Sequence, residues 1–89
     1  MRIGQVIASM ITYLKGDVRG VNHFLKVYAY AKAIGEQEKL DEVAQRTLEV
    51  AAIVHDIGIP VSMTKYGSHE GRYQEIEGPP IAERMLSDL

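Results

Sequence analysis

Apolar residues recur at helical spacing through most of the chain. Ile3, Val6, Ile7, Met10, Ile11 and Leu14 mark one face of a first helix from Arg2 to Leu14, stopped by Gly16. Asp17 is a good N-cap for a second helix, because its carboxylate can accept from unpaired backbone N–H groups of the first turn. That helix runs from Val18 to about Gly35. It is apolar or aromatic nearly all round apart from a stripe through Asn22, Lys26, Ala33 and Glu36, so it should be covered on most sides. A polar connection, Glu36 to Leu40, leads to Asp41, which caps a third helix from Glu42 to about Ile57. Glu42 favours the N-terminal end of that helix, and Gly58 and Pro60 mark its stop.

From Ile59 to Gly78 the periodicity lapses. Three glycines, two tyrosines and several ionisable residues predict a long ordered loop, a length usually tied to function in compact domains. Pro79-Pro80 then opens a last helix whose apolar face is Ile81, Ala82, Met85, Leu86 and Leu89. The expected class is all-α: a bundle of about four helices in one domain, residues 1–89, with a long loop between helices three and four.

Composition narrows the picture in one respect. A domain of 89 residues buries only about 60–65% of the surface of its unfolded chain, so metals, disulfides or partner subunits are common supports. With no cysteine, only a metal held by nitrogen and oxygen, or self-association, is left. A net charge of -2 gives no global pull toward nucleic acid or anionic membrane, and no specific nucleic-acid partner is expected. The moderately apolar Ile3 to Leu14 is far short of a membrane span and precedes no cleavage site, so a cytoplasmic protein with no membrane contact is expected.

The chemistry gathers at His55-Asp56. Placing an imidazole and a carboxylate after Val50, Ala51, Ala52, Ile53 and Val54 is costly unless a partner or metal compensates. The two donors together suit zinc, manganese, iron or nickel, and the hard oxygen tolerates magnesium. If helices two and three form an antiparallel hairpin turning near Lys39, His23 lies sixteen positions before the turn and His55 sixteen after it. Equal offsets put both rings at the open end of the hairpin. Asp56 fits less well, since an ideal helix turns it toward the side of Gln45 and Glu49; convergence requires local unwinding.

These residues carry a resemblance. His23 on one helix, with His55-Asp56-Ile57-Gly58 closing another, resembles the HD superfamily of metal-dependent phosphohydrolases in its HDIG form. The stretches Lys65-Tyr66-Gly67, Tyr73-Gln74-Glu75 and Glu77-Gly78-Pro79-Pro80 are similar to small bacterial HD proteins. The resemblance implies an HD-domain-like helical bundle and a divalent metal (Mn, Fe, Ni, Zn or Mg) held by His23, His55 and Asp56. It implies that His55 and Asp56 serve catalysis, in which metal-activated water attacks a small phosphorylated substrate. Lys65, His69 and Arg72 are candidates for the substrate phosphate, because such side chains donate well to its oxygens. Glu75 and Glu77 are candidate supporting or general-base carboxylates.

Two positions depart from the family pattern. Its closing aspartate lies on a later helix, whereas Asp88 is the only aspartate after Asp56, and Gln74 stands where many larger members place a histidine. One metal at most is then expected. The apolar stripe ending at Leu89 suggests a partial HD domain, or a homodimer through the C-terminal helix. The alternative function is a catalytically silent HD domain acting as a nucleotide- or protein-binding helical module, or a structural module that dimerises.

Overall fold

The computed structural model describes residues 1–89, all of them helix, turn or short connection. Five helices follow in order: α1 (Ile3–Tyr13), α2 (Val18–Gln37), α3 (Glu42–Val54), α4 (Ile59–Tyr66) and α5 (Gly71–Ser87). The all-α expectation holds. None of the helices is long and apolar enough to cross a membrane. The chain divides into two compact units, Met1–Val54 and His55–Leu89.

In the first unit, α3 packs on both α1 and α2. Val6 and Met10, one helical turn apart on α1, are buried with Phe24 of α2 and Ile53 of α3. Each such side chain contributes roughly 1.5–3 kcal/mol through removal from water. Both predicted caps form: Asp17 accepts from the Gly20 amide at 3.3 Å, and Asp41 from the Ala44 amide at 2.8 Å. The second helix ends in a Schellman turn. The Leu40 amide donates to the Gly35 carbonyl and the Lys39 amide to that of Glu36, both at 3.1 Å. Lys39 occupies the left-handed position of that turn, at φ 56°. The first helix closes the same way, with Lys15 at φ 55° just before Gly16.

Helices α2 and α3 are also tied by a polar contact. Gln45 Nε2 donates to the Lys32 carbonyl at 3.2 Å and to the buried Glu49 carboxylate at 2.8 Å.

The second unit corrects the expected loop. Ile59–Tyr66 is a helix with Pro60 in its first turn and Gly67 closing it at φ 66°. Gly71 already begins α5, so the connection is only four residues, 67–70. Pro79 and Pro80 lie inside α5 rather than at its start. The chain forms five helices, and the third stops at Val54 rather than near Ile57. The loop reading failed because eight residues bounded by glycines show too little periodicity, and because two prolines normally mark a first turn. Within α5 they cannot donate to the carbonyls of Glu75 and Ile76, an interruption worth about 3 kcal/mol in an isolated helix. Packing must hold this helix together.

Candidate metal centre

Because α3 ends at Val54, His55 to Gly58 form a turn. The Ile59 amide donates to the Asp56 carbonyl at 3.1 Å and thereby fixes the turn. A continuing helix would set neighbouring side chains about 100° apart. In the turn, His55 Nε2 and Asp56 Oδ2 instead lie 3.1 Å from each other. Their side chains are 37% and 28% exposed. His23, on α2, is exposed. One ligand atom from each of His23, His55 and Asp56 lies within 4.8 Å of the others.

The donor set fits a divalent cation. Nitrogen and oxygen ligands bind first-row metals at about 2.0–2.2 Å, so donors sharing one ion stand about 3.3 Å apart in a tetrahedron and at most about 4.4 Å apart. The 3.1 Å between His55 Nε2 and Asp56 Oδ2 is close to one edge of such a polyhedron. The group spans 4.8 Å, a few tenths of an ångström more than opposite donors of one ion and over an ångström more than a tetrahedral edge. Two imidazoles and one carboxylate suit zinc, manganese, iron or nickel. Three protein donors on exposed or half-exposed side chains leave coordination positions for water and substrate, as catalytic sites require.

The other residues singled out by sequence have different surroundings. Lys65 lies 3.1 Å from the Glu77 carboxylate, and Arg72 lies 3.0 Å from that of Glu70. His69 is in the connection before α5, and its carbonyl accepts from Gln74 Nε2. Glu75 is exposed on α5, while Asp88 caps the C-terminal end of that helix and is not in the three-residue group.

Glu77 has a role the sequence did not signal. Its Oε2 accepts from the Tyr66 hydroxyl at 2.7 Å as well as from Lys65, which joins α4 to α5. Tyr66 stacks on Tyr73 with ring centroids 4.1 Å apart and planes within 11°, and Arg72 lies over the Tyr73 ring at 4.7 Å. Accepting from Tyr66 and then from Lys65 holds the Glu77 carboxyl below its ordinary value. The same contacts raise Lys65 and Tyr66, each chiefly through its hydrogen bond to Glu77. Helical spacing could have hinted that Tyr73 and Glu77 share one face of α5. Nothing local pointed to Tyr66 across the connection.

Among known families, the HD domain matches residues 20–88, which is 69 of the 89 residues and includes all three members of the group. Comparison with curated proteins and with solved structures yields no match.

Proposed function

The chain belongs to the HD-domain family, and from that premise we propose that it is a metal-dependent hydrolase of a small phosphate ester or nucleotide, with His23, His55 and Asp56 as the metal ligands. The observation that carries this reading is the gathering of two imidazoles and a carboxylate within 4.8 Å at an accessible position. A divalent ion held there supplies Lewis acidity toward a phosphoryl oxygen and toward water. Hydrolysis joins a water oxygen to phosphorus and breaks the ester P–O bond, the alcohol leaving with a proton. Asp56 has two carboxylate oxygens, so one can serve as a ligand while the other accepts a proton from water. His55, its neighbour in the turn, would supply a second ligand beside it.

Lys65, His69 and Arg72 are the proposed contacts for substrate phosphate. Lys65 and Arg72 are largely exposed, and they would exchange Glu77 and Glu70 for phosphate oxygens. Because each already has a carboxylate partner, the net gain from the exchange is small, and the three ligands matter more.

The test is metal analysis of protein purified without chelator, alongside hydrolysis of nitrophenyl phosphate mono- and diesters with Mn, Fe, Ni, Zn or Mg. Stoichiometric metal and activity, both lost on His55→Ala, are the expected result. Protein that takes up none of these metals and hydrolyses neither ester refutes the enzyme and favours a silent binding module. A homodimer through α5 belongs to the same proposal, because Ile81, Met85 and Leu86 keep partial exposure and Leu89 is exposed. Light scattering that returns a monomer mass at every concentration would end that part of it.

A further inference from the structure

Gly58 closes the turn that carries His55 and Asp56, and its backbone does not need to be glycine. At φ -79° and ψ -10° it has a conformation open to any L-residue. What demands glycine is space. A Cβ placed there would lie 3.0 Å from the Gly78 amide nitrogen, 3.1 Å from the Gly78 Cα and 3.2 Å from the Gln74 carbonyl oxygen. All three are backbone atoms of α5, which cannot rotate aside as a side chain would. At every other glycine a methyl would meet open space, a side chain or ordinary van der Waals contact. Gly78, on the far side of the same crossing, is an example: its Cβ would stand 3.7 Å or more from the Gly58 backbone and Ile57.

The turn is also held from its other side. The Gly58 carbonyl accepts from the Ser62 amide at 2.9 Å, so the first turn of α4 grows directly out of it. Ile57 is buried, and Asp56 is tied to Ile59 through the backbone. Two residues before Gly58, then, is a carboxylate whose placement depends on a turn with little freedom to shift.

We infer that Gly58 is a positioning residue for the metal centre: lacking a Cβ, it lets the His55–Gly58 turn seat directly on the backbone of α5. This rests on the metal-binding reading above. Restoring ordinary contact at a Cβ on residue 58 needs the turn and α5 to part by several tenths of an ångström. Ligand sites hold their geometry within about 0.5 Å, and losses of supporting structure typically weaken metal affinity about 10- to 100-fold. Gly58→Ala should therefore weaken binding about tenfold or more. Gly78→Ala should leave it within about twofold, since only ordinary contact is added.

The experiment titrates the full chain with Co2+ and reads the visible absorption band, whose position and intensity report ligand geometry. A purely structural loss of stability, with the turn intact, would not alter that band. The expected result is a weakened and altered band in Gly58→Ala, with a native band in Gly78→Ala. A folded Gly58→Ala protein with native affinity and band overturns the inference while leaving the metal reading intact. A native protein that binds neither Co2+ nor Zn2+ overturns the metal reading first and this inference with it. Should Gly58→Ala fail to fold, the native chain decides: addition of Zn2+ should move the backbone amide resonances of both Gly58 and Gly78. A Gly78 resonance that stays fixed while that of Gly58 moves refutes the seat.

Discussion

Lys39 sits at the tip of the hairpin between α2 and α3, with a backbone that suits glycine better than lysine. Its φ of 56° is left-handed. For an L-residue that conformation costs roughly 1–2 kcal/mol, because Cβ crowds the following carbonyl. Glycine would remove this cost while gaining freedom in the unfolded chain worth about 0.5–1 kcal/mol. Lys39→Gly should therefore stabilise the protein by a net ~0.5–1 kcal/mol. For a domain of this size that raises Tm by about 2–8 °C. Lys39→Ala keeps a Cβ and should leave Tm nearly unchanged. Lys39→Pro should cost about 3 kcal/mol or more, since proline cannot reach this φ and lacks the N–H that donates to the Glu36 carbonyl at 3.1 Å. Thermal unfolding followed by far-ultraviolet circular dichroism measures all three. A Lys39→Gly protein less stable than the parent, or one indistinguishable from Lys39→Ala, would show that the strain assigned to this turn is absent.

Ile53 is fully buried, so Ile53→Ala should cost about 2–5 kcal/mol in denaturant unfolding, a large share of the roughly 4–13 kcal/mol expected for a chain of 89 residues; a loss below about 1 kcal/mol would contradict its burial. The Glu77 cluster should shape stability against pH at both ends. Glu77 is lowered from an ordinary 4.5, so its contribution is present above that value and fades as pH falls through the depressed one. Lys65 and Tyr66 are raised from 10.5 and 10.0, so their contributions hold below about pH 10 and are lost as pH rises through the raised values. Glu77→Gln should flatten both limbs in melts run across pH, and unchanged limbs would sink the assignment. Divalent metal at 100 times its Kd should raise stability by about 2.7 kcal/mol, reversibly with chelator, and the shift should vanish in His23→Ala and His55→Ala; an equal shift in those variants would place the metal elsewhere.

Much of the first unit was legible in the residues alone. The helix starts at Asp17 and Asp41 were readable because a cap acts on an amide only three positions away. The grouping of His23 with His55 was an expectation from equal distances to one turn, and His55 itself begins the second unit. The hydrophobic spacing of Val6 and Met10 likewise marked the face that is buried. Even there a detail escaped: Gly16 looked like the residue that ends α1, whereas Lys15 takes the cap position just before it.

The second unit was decided by contacts between residues distant in sequence. No local rule keeps a helix running through Pro79 and Pro80. That helix is held where Gly58 meets Gly78 and Gln74, twenty and sixteen positions on, and where Glu77 receives Tyr66 from the helix before. The His55-Asp56 pair could be picked out by its chemistry, since side-chain type alone names a donor. Its usable geometry arises only because the helix stops at Val54 and the turn then rests on another backbone, a matter of space that residue identities do not reveal until the chain has folded against itself.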